Sequence, residues 1–255
     1  MVTYNSAGRF GNVFMECATA ISYALKHGLD FTTPKPNNND RYWNPFYFEH
    51  LYNPNWNPNK ETIRLWENGH EYQELTFEES WRDKNIIIEG YRQSEKYFKE
   101  HRAEILSLLE IPFIFKHGVV SIHVRRGDYL HLQMKHILYS IDYMTKAMGY
   151  FYNLEHGYDT FKVFSDDIPW CREEFAKPEF SKYNISFSTN QTELEDIAEM
   201  ASCEHNINSS STFAWAAAWL NRNQDKIVVT PEKWFQDGWM GLNTKDIIPE
   251  NWIKL

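Results

Sequence analysis

Apolar residues recur along this chain in two rhythms. From Val13 to Lys26 they fall at Phe14, Ala18, Ile21, Ala24 and Leu25, the spacing of one helical face, and Gly28 supplies a stop. Further helices are predicted over Ser94–Leu109, with Tyr97, Phe98, Ile105 and Leu108 as the apolar side, and over Ile141–Leu154, Glu193–Ala201 and Phe213–Asn221. Short, nearly continuous apolar runs mark buried strands instead: Ile86–Tyr91, Val119–Val124, Thr160–Ser165 and Lys226–Thr230, with a shorter one at Asn206–Asn208. From about residue 117 to 230 strands and helices alternate, the signature of a parallel, doubly wound α/β sheet. Residues 34–60 break both rhythms with Pro and Asn among the rings Tyr42, Trp43, Phe46, Tyr47, Phe48, Tyr52 and Trp56. That segment reads as an irregular insert, either a small satellite core or a platform for a sugar. The expected division is a domain over 1–115, a second over 116–230 and a tail over 231–255.

Ligands of doubly wound sheets gather beyond the carboxyl ends of the strands. Here those ends carry His123-Val124-Arg125-Arg126-Gly127-Asp128, Ser165-Asp166-Asp167 and Ser209 to Thr212. Two adjacent arginines after a buried strand are costly unless they meet anions. A guanidinium suits phosphate oxygens, and one that meets the terminal phosphate of a departing nucleoside diphosphate stabilises the transition state. The competing reading is an Arg–Asp ion-pair cluster at the surface. Asp166-Asp167 could hold a divalent cation, but Asp-Asp-Ile-Pro is also a helix start with an Asp cap, and capping is favoured. The run Asn208–Thr212 before a helix offers hydroxyls and backbone amides to an anion. Asp196, on the preceding helix, has the right chemistry for the N1–H and N2–H₂ edge of guanine, though helical Asp is commonly just solvated. At the other end of the chain, Gly8-Arg9-Phe10-Gly11-Asn12 is a glycine-bearing loop feeding a helix N-terminus.

Composition narrows the partners. The 255 residues are 42 % apolar and 24 % charged, ordinary for a globular protein. Lys and Arg number 26 against 35 Asp and Glu, so the net charge is −9 and nucleic acid is excluded as an expected partner. Any phosphate must be gripped locally. The three cysteines, Cys17, Cys171 and Cys203, form no CxxC and suggest neither a zinc site nor a disulfide framework. No apolar run approaches the roughly 18 residues of a membrane span and no signal peptide is evident, so a soluble, cytoplasmic protein is expected. Aromatic residues reach 16 %, which suits either a ring-rich core or a carbohydrate handler.

Taken in order, these motifs resemble the α-1,2-fucosyltransferases of glycosyltransferase family 11. The resemblance runs from Gly8 to about Trp252. Its pieces are Gly8–Asn12, Gly90-Tyr91-Arg92-Gln93-Ser94-Glu95-Lys96-Tyr97-Phe98, His123–Tyr129, Val163–Asp167 with Trp170-Cys171, Ser210–Trp215 with Ala217–Asn221, and Pro231–Phe235. It implies a GT-B-like fold, two Rossmann-like domains facing a cleft. It implies inverting transfer of L-fucose from GDP-fucose to a glycan hydroxyl, a terminal β-galactoside or related sugar, with no metal ion. The catalytic residues it implies are Arg125, on the β-phosphate, Arg126 and Asn12. Donor binding would fall to His123, Arg125, Asp128, Asp196 at guanine, Ser210, Ser211, Thr212 and Phe213. Arg9, Glu16 and Trp43 would face the acceptor in the first domain. The chain departs from the family pattern after Asn12, at Ser210–Ala216, and at Arg92, where the family carries Trp. A related transferase for another GDP-sugar or linkage, or an inactive sugar-binding relative, is the alternative.

Overall fold

The computed structural model describes residues 1–35, 47–131, 137, 139–236 and 242–255. The chain forms two compact units, Met1–Ile111 with Leu242–Pro249, and Pro112–Gly241 with Glu250–Leu255. Both are α/β with parallel sheets, as expected. Among the described residues no helix is long and apolar enough to cross a membrane.

In the first unit, β1 (Val2–Tyr4) leads through the glycine loop into α1 (Phe10–His27). Gly28 closes that helix in the left-handed conformation, φ 60°, and returns its N–H to the last turn. Strands β2 (Thr62–Leu65) and β3 (Asn85–Ile88) complete a three-stranded parallel sheet in the order β1-β3-β2. The helix predicted over Ser94–Leu109 is broken. Two 3₁₀ turns, Glu95–Tyr97 and Lys99–His101, precede a short α2 (Arg102–Leu108). Phe98, at φ −145°, ends the first turn because its ring is drawn into the core against Phe14, 6.0 Å away. Leu108, expected inside, is 38 % exposed, and its neighbour Leu109 is buried instead. Arg92 is fully buried. Its guanidinium donates to the carbonyls of Glu89 (3.0 Å) and Leu65 (2.6 Å) and lies over the Tyr97 ring, tying the ends of β2 and β3 together.

The second unit opens with β4 (Lys116–Val124), then α3 (Ile141–Tyr152), β5 (Thr160–Ser165), α4 (Ile168–Glu174), β6 (Asn184–Phe187), α5 (Glu193–Ser202), β7 (Cys203–Ile207), α6 (Thr212–Leu220), β8 (Val228–Thr230) and β9 (Ile253–Lys254). Six parallel strands pair in the order β6-β5-β4-β7-β8-β9. The chain starts at the middle, winds one way through β5 and β6, then crosses back to β7. The strand order therefore reverses between β4 and β7, the place where such sheets open a crevice. One face of the sheet packs Val120, Ile122, Val124, Phe161 and Val163 against Met144, Met148 and Phe151 of α3. Helix α6 is buried from Ala214 to Leu220 and reads apolar all round, as a core helix must.

The division expected at 115/116 falls at 111/112, and residues 231–255 are not a separate tail. Residues 242–249 belong to the first unit, where buried Asp246 pairs with Lys96 at 2.6 Å and accepts from Tyr72 N at 2.9 Å. The last residues return to the second unit as β9, with Trp252 against Trp215 at 5.4 Å.

Between β4 and β7 lies a buried polar tie. Asn206 donates to Ser121 Oγ (2.7 Å) and Met200 O (2.9 Å) and accepts from Asn221 Nδ2 (2.9 Å). Asn206→Ala strands these partners away from water. It is expected to cost about 3 kcal/mol, read as a lower urea midpoint at unchanged slope.

Candidate functional site

The β4/β7 switch point brings together most of the second-unit residues singled out in the sequence. Beyond β4 the chain turns, and Arg125 meets two carboxylates, Asp128 Oδ1 at 2.6 Å and Asp166 Oδ2 at 2.8 Å. Its side chain is 14 % exposed. Arg126 donates to Asp167 Oδ2 at 3.0 Å and lies flat over Trp170, 3.7 Å from the ring centroid. The ion-pair reading of the arginines is therefore realised in this structure. It also accounts for Asp166 and Asp167. Asp166 takes Arg125 on one oxygen and the backbone N–H of Arg126 on the other at 2.9 Å. Asp167 caps α4 by accepting from Trp170 N at 3.2 Å, with Pro in the first turn, as the sequence suggested. Gly127 makes this packing possible, because a Cβ there would overlap Asp166 Oδ2.

Across the switch point, His123 Nδ1 is 2.7 Å from Ser209 Oγ, and its ring packs 5.4 Å from Phe213. Burial first, and then the Arg125 charge, push the His123 pKa down to about 3. The imidazole is neutral in any working range, and a base with so acidic a conjugate is weak. Two tyrosines hold the loop after β7. Tyr129 donates to Ser210 O at 3.0 Å and Tyr143 to Asn208 O at 2.7 Å. Ser210 Oγ donates to Lys233 O at 3.1 Å, while Ser211 caps α6 by accepting from Phe213 N at 3.3 Å. Thr212 is half-buried at the first position of that helix. The Asn208 amide is buried with neither atom hydrogen-bonded among the described residues.

An open recess lies here, walled by His123, Arg125, Tyr139, Tyr143, Ser209 and Pro231 among others. Cationic Arg125 and the loop residues Ser209 and Ser210 that lead into α6 suit an anion there.

Asp196 stands apart from this group, on α5 beyond the end of β6. It accepts from Ser188 Oγ at 2.6 Å and Asn190 Nδ2 at 3.0 Å, and burial raises its pKa despite those bonds. In the first unit, Asn12 accepts from Gln93 Nε2 at 3.1 Å, and Gly8, at φ +84°, leaves room for the Asn12 amide that any Cβ would overlap. Arg9 is exposed at the N-cap of α1. Glu16 is 0 % exposed and accepts from Ala7 N at 3.0 Å, so it braces the glycine loop and presents no surface to an acceptor. Of the ring-rich insert, Tyr47 and Phe48 turn inward onto Phe10, at 5.2 and 5.9 Å, which fits the satellite-core reading. Trp43, Tyr42 and Phe46 lie outside the described residues. Sequence reasoning gave no role to Tyr129, Tyr143 or Asn190. Their single signal was position, each next to a strand end or a helix start.

A doubly wound α/β unit with two arginines at its switch point defines an α/β protein whose crevice suits an anion, and comparison with known proteins gives its family. The chain belongs to glycosyl transferase family 11, whose profile matches residues 1–255. It is 33 % identical over 186 residues to the O-antigen biosynthesis glycosyltransferase WbnK of Escherichia coli, covering 65 % of this chain and 59 % of that one. It is 31 % identical over 185 residues to an alpha-1,2-colitosyltransferase of Escherichia coli, covering 65 % and 61 %. Against galactoside alpha-(1,2)-fucosyltransferase 1 of Saimiri sciureus it is 30 % identical over 149 residues, 51 % of this chain and 39 % of that one. The matched stretch thus spans less than two thirds of each of these relatives. POFUT1 in complex with GDP shares 13 % identity and a TM-score of 0.47, over 90 % of this chain and 97 % of that one, too distant a likeness to assign residues.

Two outcomes are expected. Between pH 5 and 8 the His123 ring stays neutral, so its NMR signals show no inflection near 6.5, the ordinary histidine value. Gly127→Ala displaces the Asp166 carboxylate from Arg125, and a crystal structure of the variant shows that ion pair broken while the fold is kept.

Proposed function

We propose that the protein is an inverting α-1,2-fucosyltransferase, moving L-fucose from GDP-fucose to a hydroxyl of a β-galactoside glycan without a metal ion. The observation that carries this reading is the Arg125 cluster at the β4/β7 switch point, in a recess shared with His123, Ser209 and Ser210. The relatives support it: one is named for galactoside α-(1,2)-fucosyl transfer and another for α-1,2-colitosyl transfer.

The acceptor hydroxyl attacks the anomeric carbon of fucose as GDP departs from the opposite face, which inverts the configuration. Charge builds on the leaving β-phosphate. Arg125, aided by Arg126 and by the hydroxyls and amides of Ser210, Ser211 and Thr212, is positioned to stabilise it. In the free protein Asp128 and Asp166 hold the Arg125 guanidinium in place, and the diphosphate competes with them for its N–H groups. Two arginines in that position supply the neutralisation a divalent cation would otherwise give, and the carboxylates nearest to them are already engaged by arginine and by the cap of α4. Asp196 accepts from the guanine edge, Phe213 and neutral His123 line the donor site, and Asn12 with Arg9 serves the sugar and acceptor. No strong base is assigned. His123 is too weak, and Asp128 is held by Arg125. The oxocarbenium character of the transition state lowers the need for one. The colitosyltransferase relative favours one second reading, the same reaction with another deoxy sugar.

Incubation with GDP-fucose and a panel of β-galactosides in EDTA is expected to give GDP and a fucosylated product of the right mass. Arg125→Ala is expected to lower the rate by about 10²–10³. Product only with a different deoxy-sugar donor selects the second reading, and a requirement for added Mg²⁺ or Mn²⁺ overturns the metal-independent one.

A further inference from the structure

Asp196 does not choose its own orientation. Its Oδ1 accepts from Ser188 Oγ at 2.6 Å and from Asn190 Nδ2 at 3.0 Å. The same amide nitrogen donates its second proton to Glu199 Oε2 at 2.9 Å. Glu199, three residues on and on the same face of α5, accepts on Oε1 from both Lys116 and Lys162. Those lysines stand on the adjacent strands β4 and β5, and Ser188 is fixed at the end of β6 by its N–H to Val163 O at 2.8 Å. Two lysines thus face two carboxylates, and the charges balance. Both lone-pair directions of Asp196 Oδ1 are filled, while Oδ2 has no hydrogen-bond partner among the described residues.

Asn190 is the link on which this depends. Without its two N–H groups the carboxylates of Asp196 and Glu199 would face each other with no proton between them. Asp196 would then turn away or take up a proton, and a protonated carboxyl is a poorer acceptor for two adjacent N–H donors. Burial already raises its pKa. We propose that Asn190 is a positioning residue for nucleobase selection: by fastening Asp196 Oδ1 to the Lys116–Glu199–Lys162 cluster, it presents Oδ2 to the N1–H and N2–H₂ edge of a guanine nucleotide. The inference rests on the reading of Asp196 as the base contact of a GDP-sugar donor.

The test compares binding of GDP, IDP and ADP to the full chain by calorimetry. IDP lacks the 2-amino group, and ADP lacks the whole donor edge while keeping the diphosphate. Asn190→Asp keeps the side-chain shape and removes the donor. It is expected to weaken GDP about tenfold or more and to bring GDP and IDP together, as Asp196→Ala does, while ADP binding, which reports on the diphosphate grip alone, stays as in the wild type. Asn190→Asp that keeps the wild-type ratio of GDP to IDP, while Asp196→Ala loses it, overturns the role of Asn190. Asp196→Ala that also keeps the ratio overturns the guanine reading itself. Asn190→Ser, which restores one donor, is expected to recover part of the discrimination. An equal loss of GDP, IDP and ADP in both Asn190 variants would mean that the network serves only the fold.

Discussion

Two cations at the end of β4 set the terms for everything around them. A guanidinium that is 14 % exposed cannot rely on water, so anions must be brought to it. The sequence supplies them from two directions: Asp128 three residues on, and Asp166 with Asp167 from the end of the neighbouring strand β5. That requirement fixes Gly127, since the close approach of Asp166 leaves no space for a side chain. It explains the start of α4 as well, because Asp167 serves Arg126 with one oxygen and caps the helix with the other. The ion pairs and the proposed anion site are therefore the same object. Carboxylates hold the arginines in place, and under the proposed function they are also the groups a diphosphate must outcompete.

The far side of the crevice is built from neutral groups, and the difference is physical. Loops after strands leave backbone carbonyls and amides without ladder partners, and buried ones must be matched. Tyr129 and Tyr143 reach the carbonyls of Ser210 and Asn208, and Ser211 takes an N–H of α6. The phenol of Tyr129, raised to about 12 by burial above all, is firmly protonated and remains a donor. His123 is buried beside Arg125 and so stays uncharged, which spares the site a third cation.

Much of this was legible in the sequence wherever a signal spanned many residues. Alternation between 117 and 230 specified the doubly wound sheet, and helices α1, α3, α5 and α6 formed within a few residues of their apolar periodicity. Strands of two to four residues, β1, β2, β6 and β9, carried too few positions to stand out. Ser94–Leu109 kept a helical pattern but not a helix, because burying Phe98 outweighed local continuity. Arg92 was visible only as a departure from a family pattern. Its burial depends on carbonyls of Leu65 and Glu89, the former 27 residues away, which no local pattern encodes. Glu16 had the chemistry of a site residue, and its helix turned it inward to Ala7. The arginine cluster was found because two adjacent cations after an apolar strand are improbable without a reason. Asn190 was not, because an amide in a polar loop is common and its meaning lies in the two carboxylates it bridges.

The charge distribution reconciles an anionic ligand with an acidic chain. At a net −9 the protein as a whole repels a nucleoside diphosphate sugar. At physiological ionic strength that repulsion fades beyond about 8 Å, so the groups lining the crevice decide whether the ligand stays. Arg125 and Arg126 are each neutralised locally by aspartate, so no unbalanced positive charge accumulates there. A ligand gains only the difference between its own oxygens and those carboxylates. That difference is small for a diphosphate whose charge is still shared with a bound sugar. In the proposed reaction it grows as the glycosidic bond breaks and charge gathers on the β-phosphate. Under that proposal the same pairing that limits ground-state affinity favours the departing state, the condition for catalysis rather than mere binding.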